Sequence, residues 1–154
     1  MRRVILDNWA LFLGIGLLMV ANGLLMTLLT VHAAELGFSA LVIGVMQAGY
    51  PLGALFGTLW APRLVAQAGH VRSFAALASI CSITAIVHLM TADPASWTAM
   101  RVLAGICFPG LYVIAESWLN ARTDNRLRGR VLSLYFMLQS GGSAAGAALV
   151  GWPG

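Results

Sequence analysis

The chain contains no lysine, and charged residues make up only 9% of its 154 positions. An ordinary globular domain carries about 25%. So little charge cannot cover a water-facing surface, which excludes the soluble enzyme classes. Nine arginines against five acids leave a net charge of +4. A basic excess can mark a nucleic-acid binder. Here the arginines fall in short clusters between apolar runs, the pattern by which a membrane protein sets its orientation. No nucleic-acid partner is expected. Cysteine is scarce too. Cys81 and Cys107 lie inside apolar runs, with no C-x-x-C and no histidine at ligand spacing. They read as two small buried hydrophobes, and neither a disulfide scaffold nor a metal site is predicted. No Ser-His-Asp set, phosphate-binding glycine loop or paired-carboxylate site is visible. No enzyme activity and no cofactor are therefore expected.

What fills the chain is apolar: 60% hydrophobic residues and 17 glycines. The gaps between charges locate the spans. Residues 8–34, 36–62, 73–92 and 131–154 contain no Asp, Glu, Lys or Arg. Roughly 20 helical residues cross the hydrocarbon core. A fifth stretch qualifies once Arg101 and Glu116 are included. The expected architecture is all-α, a polytopic membrane helical bundle with spans at about 9–32, 40–62, 73–92, 97–119 and 131–152. Arg2 and Arg3 followed by an apolar run, with Val31-His32-Ala33 beyond it, resemble a signal peptide. A signal h-region is only about 7–15 residues, so the run reads as an uncleaved helix.

Arg2, Arg3, Arg63, Arg72, Arg122, Arg126, Arg128 and Arg130 all fall on one side of this layout. The opposite loops, around Glu35 and Asp93, hold no basic residue. Arginine-rich loops stay cytoplasmic, which predicts a cytoplasmic N-terminus in a bacterial-type inner membrane. Trp9, Trp97 and Trp118 fall near span ends, where an interfacial belt would hold them.

Small residues recur in steps of four at Gly49, Gly53, Gly57 and Ala61, and again at Gly142 and Gly146. Lipid supplies no hydrophobic drive between helices, so such stripes mark close helix packing. Pro51 and the Pro109-Gly110 pair fall mid-span and predict kinks, which either shape a cavity or merely suit packing.

Arg101 is the main polar signal. An arginine inside a span costs about 2.5–3.5 kcal/mol on insertion scales. It either serves a solute or proton pathway or snorkels to the interface; the pathway reading is adopted. Glu116 lies about 22 Å further along the same helix, so the two cannot pair. Glu116 instead suggests an ion pair with Arg63, Arg72 or Arg130, acting as an inner latch or as a static bridge. Asn22 and Gln47 fall near the midplane as interhelical glue or solute contacts, with Tyr112 and Gln139 as weaker candidates of the same kind. His88 reads as a hydrogen-bonded interfacial histidine in preference to a proton relay.

Several segments resemble the major facilitator superfamily. Gly57-Thr-Leu-Trp-Ala-Pro-Arg63 followed by Gly69-His-Val-Arg72 is similar to its signature between helices two and three, with Ala61 or Pro62 at the acidic position. Arg101-Val-Leu-Ala-Gly105 resembles its helix-four R-x-x-x-G motif. Arg128-Gly129-Arg130 resembles the motif that opens helix five. Gly142 and Gly146 match half of an antiporter pattern, with Ala147 in place of its proline, so antiport is not inferred. Glu116-Ser-Trp-Leu-Asn-Ala-Arg122, leading into Asn125-Arg-Leu-Arg-Gly-Arg130, is most similar to the YcaD-like branch. The resemblance implies a transporter of a small solute, coupled to protons, built as twelve helices in two six-helix halves with the solute site between them. It implies that residues 1–154 are helices one to five of that fold, an incomplete N-terminal half whose partners are the bilayer, the solute, protons and the missing C-terminal half. It gives Arg101 a part in proton or anion coupling. It also implies a cytoplasmic gate made of Gly57, Arg63, Gly69, Arg72, Glu116, Arg128, Gly129 and Arg130. A different class of reading is a non-transporting five-helix scaffold or assembly subunit that binds partners through its glycine faces.

Overall fold

The computed structural model describes residues 6–151. Arg2, Arg3 and the end of the last predicted span at residue 152 lie outside them. Five long helices run through the described residues: α1 (Trp9–Glu35), α2 (Ala40–Ala68), α3 (His70–Met90), α4 (Pro94–Arg122) and α5 (Asn125–Val150). The first four are long and apolar enough to cross a membrane. The fifth opens on three arginines and carries the polar run Gln139-Ser140-Gly141-Gly142-Ser143, which dilutes its hydropathy. The protein is an all-α polytopic membrane bundle with four to five spanning helices.

The helices extend beyond the spans read from charge gaps. The predicted loop over residues 63–72 shrinks to Gly69 alone, so Arg63 lies in α2 and Arg72 in α3. An apolar run stops at the first charge, whereas a helix stops where its hydrogen bonding stops. Gly69 supplies that stop. Its φ of 79° suits a residue without a Cβ. Its N–H donates to the Val65 carbonyl at 2.8 Å, closing α2, and its own carbonyl accepts from the Ser73 N–H at 3.1 Å, opening α3. Arg126, Arg128 and Arg130 likewise belong to the first turns of α5. The helices also continue through Pro51, Pro62 and Pro109.

The start of α4 is capped by Asp93, whose carboxylate Oδ2 accepts from the Ser96 N–H at 2.8 Å and the Ser96 hydroxyl at 3.0 Å. Pro94 follows at the first helical position, where its missing N–H costs nothing. The Ser96 backbone N–H, then its hydroxyl, hold the Asp93 carboxyl below its ordinary value. A carboxyl lowered on folding stabilises the fold above its unfolded value, and the benefit is lost as pH falls through the folded value. Asp93→Ala should therefore lower the melting temperature in detergent at pH 7. The gap to wild type should close on acidification below about pH 4. A gap unchanged with pH would exclude the cap as its source.

The helices group into two compact units. Among the described residues one comprises 6–32 and 119–151, and within it α1 and α5 touch at glycines. A Cβ on Gly23 would overlap the Ser143 carbonyl, one on Gly146 the Val20 carbonyl, and one on Gly142 would come within 2.8 Å of Met19 Cβ. The other unit comprises residues 33–118. Here Gly49, Gly53, Gly57 and Ala61 are buried, and the three glycines lie against α4. A Cβ on Gly53 would overlap the Val102 carbonyl, and one on Gly57 the Ile106 carbonyl. Gly105 answers from α4, facing the Tyr50 carbonyl. The large side chains of α2, among them Leu41, Leu55, Phe56 and Leu59, are exposed. Small residues inward and large ones outward is the inverse of a soluble helix and fits a lipid surround. Cys81 and Cys107 are buried free thiols.

Candidate functional site

The unit of residues 33–118 holds a buried polar cluster in its apolar interior. At its centre Arg101, on α4, has no exposed surface. Its position follows from the glycine stripe: Gly49 sits against Thr98, Arg101 and Val102, so α2 passes close to the α4 backbone at this level. Nη2 of Arg101 donates to Oε1 of Gln47 at 3.3 Å. The guanidinium carbon lies 5.4 Å from the centroid of the Tyr50 ring, a cation–π contact. Nε and Nη1 have no hydrogen-bond partner among the described residues. No carboxylate reaches the group there. The snorkelling alternative fails, because the side chain stays inside the protein.

Such a group is costly. A buried charge stabilises a fold only when paired and fully hydrogen-bonded. Here one long hydrogen bond and one aromatic face stand in for an acid. The arrangement reserves two N–H donors and a positive charge, which suit an anion, a water chain or a like-charge interaction with a titrating neighbour.

Beside it lies a second group. His88 of α3 is buried, with Nδ1 2.6 Å from the Thr84 carbonyl and its ring 5.8 Å from that of Trp97. Trp97 is buried as well; its indole Nε1 donates to the Thr91 carbonyl at 2.6 Å, and its ring meets Phe38 at 5.8 Å. The expectation of an interfacial belt is thus corrected for Trp97, while the expected hydrogen bond of His88 is present. Both are interior residues, because α3 and α4 pack together at this level and shield them. Trp9 is exposed and Trp118 half-buried.

Of the residues singled out from sequence, the structure brings Arg101 and Gln47 together. Asn22, on α1, is buried, with its Oδ1 lacking a hydrogen-bond partner among the described residues. Tyr112 on α4 and Gln139 on α5 are half-buried. Sequence reading missed Tyr50. Its signal was the i, i+3 spacing from Gln47, which places both on one face of α2.

The predicted gate residues fall as follows. Gly57 is buried against Ile106, and Gly69 forms the α2–α3 turn. Arg63, Arg72, Arg128, Gly129 and Arg130 are exposed, and Glu116 is half-buried on α4. Arg128 reaches the Asn120 carbonyl at 3.5 Å. At this end of α3 and α4, His70 places Nε2 3.0 Å from the Ser117 hydroxyl and its ring 5.5 Å from that of Trp118.

Comparison with known proteins agrees with this layout. The family model described as Major Facilitator Superfamily matches residues 11–153. A relative named "Uncharacterized MFS-type transporter" from Yersinia pestis (strain Pestoides F) is 30% identical over 141 residues, covering 92% of this chain. Another, "Uncharacterized MFS-type transporter YcaD" from Salmonella arizonae, is 32% identical over 141 residues, covering 91%. The chain spans 37% of the length of each of these relatives. No solved structure matches it significantly. With the match running through all five helices, the chain belongs to the Major Facilitator Superfamily.

Proposed function

We propose that this chain forms the first five helices of a proton-coupled secondary transporter of a small solute, of the YcaD-like branch, in a bacterial-type inner membrane with its N-terminus cytoplasmic. It works with the remainder of a two-half transporter fold and has no catalytic chemistry of its own. Asn22 contacts the solute. Glu116 and the arginine-rich turns belong to the inner gate. The observation that carries the reading is Arg101, a cation kept wholly inside a membrane-spanning helix without an acidic partner among the described residues. A static bundle gains nothing from that arrangement, whereas a carrier that exchanges charge with protons or solute does.

The scaffold reading is less well supported. Its binding faces would be the glycine stripes, and those already face other helices of this chain.

The test uses the full-length protein in inside-out vesicles loaded with a pH-sensitive dye. The vesicles are challenged with a panel of small charged and amphipathic solutes. At least one solute should move protons, and its transport should collapse when a protonophore dissipates the gradient. Transport indifferent to the protonophore would remove proton coupling, and no transport across the panel would favour the scaffold.

A further inference from the structure

Arginine keeps its proton at every pH a cell reaches. If the proposed proton coupling operates through this unit, another group must carry the proton. We infer that His88 Nε2 is that proton-binding site, working against the fixed charge of Arg101.

The hydrogen bonds determine the tautomer. A backbone carbonyl only accepts, so the 2.6 Å contact with the Thr84 oxygen requires the hydrogen on Nδ1 of His88. The Nε2 lone pair is then left bare. It is buried and has no hydrogen-bond partner among the described residues. A basic nitrogen so placed is free to take up a proton and release it, with no covalent change beyond the N–H bond.

Arg101 lies one helical turn beyond Trp97, the residue whose ring meets His88. Its charge is the one that acts on the imidazole among the described residues, and the Trp97 backbone also lies against the ring, where its carbonyl can accept from the protonated form. The other groups at this level are neutral: Thr84 on α3, Trp97 on α4, Phe38 between α1 and α2, and Gln47 and Tyr50 on α2. Protonated His88 would place two cations close together in a medium of low dielectric, where like charges repel strongly. Arg101 is held by a single 3.3 Å hydrogen bond and a ring face, so it is the group able to move. Loading the proton therefore releases the Gln47 contact between α2 and α4, which links protonation to helix movement.

The experiment titrates the full-length protein in detergent from pH 4 to pH 9. Two readouts are followed: Trp97 fluorescence, quenched by a neighbouring imidazolium, and the 15N signals of labelled histidine. A fluorescence transition should appear that is absent in His88→Gln and in Trp97→Phe. In Trp97→Phe the nitrogen signal of His88 should still titrate. Arg101→Gln removes the opposing charge and should move the midpoint up by about one pH unit. The wild-type nitrogen titration needs no substitution, so a misfolded variant cannot hide the result. A His88 signal that stays neutral throughout would overturn the inference, as would a midpoint indifferent to Arg101. These titrations need no solute, so they can fail while vesicle transport succeeds, and the reverse also holds.

Discussion

Replacing Gly53 by alanine should lower the melting temperature of the full-length protein in detergent by about 2–10 °C. The reason is geometric. A Cβ at this position would overlap the Val102 carbonyl oxygen and come within 2.9 Å of the Ile106 nitrogen. Both atoms belong to the α4 backbone and cannot swing away as a side-chain tip would. The helices must separate, and the dispersion contacts along the whole stripe weaken with distance. Overpacking a well-filled interior typically costs about 1–3 kcal/mol, and in proteins of 150–250 residues each kcal/mol shifts melting by about 2–4 °C. Gly105→Ala attacks the same contact from α4, at the Tyr50 carbonyl. The double variant should therefore cost less than the sum of the two, because helices already parted have less to lose. Gly44 is the control. It lies on the same helix with nothing within 4 Å of a Cβ, and alanine there should be neutral or slightly stabilising. Equal effects at Gly44 and Gly53 would show that helix propensity, not the approach of α2 to α4, sets the outcome.

Arg101→Met should abolish gradient-driven transport by the full-length protein, by about 100-fold or more, while leaving membrane insertion intact and melting unchanged or raised. The two halves of this result come from one fact. The guanidinium is buried with Nε and Nη1 unpartnered, so the fold carries an uncompensated charge that an apolar chain of similar length removes. A structural ion pair would behave in the opposite way, losing stability with its partner. Arg101→Lys should also transport poorly. An ammonium is a compact point charge without the planar donor edge that reaches Gln47 and lies against Tyr50. A protein with Arg101→Met that transports at the wild-type rate would end any functional role for this residue. One that fails to insert would mark Arg101 as structural.

Much of this molecule was legible along the chain. Charge gaps located four of the helices, the apolar stretch around Arg101 and Glu116 located α4, and the step of four from Gly49 to Ala61 marked a packing face before any neighbour was known. Arg101 stood out because a charge in an apolar run is expensive wherever the helix turns. Helix ends were less legible. Hydropathy stops at Arg63, but the backbone ladder of α2 runs on to Ala68 and ends only where Gly69 takes a positive φ. Trp97 shows the limit plainly. A tryptophan near the end of a span reads the same whether it faces headgroups or protein, and only the arrival of Phe38 and His88 makes it an interior residue.

Membrane residence, the number of apolar segments, their small-residue faces and the family motifs are therefore properties of composition and short-range spacing. They depend on residues within a few turns of one another, and no partner is needed to read them. The surroundings of Arg101 are of another kind. Its hydrogen bond to Gln47 joins positions 54 residues apart, and its distance from any carboxylate is a statement about every element packed around it. The same holds for His88, where Thr84 claims Nδ1 and Nε2 has no hydrogen-bond partner among the described residues. Local preference sets which helices form and where they lie in a bilayer. Which polar groups meet inside them is decided only when the glycine faces close and bring distant parts of the chain into contact.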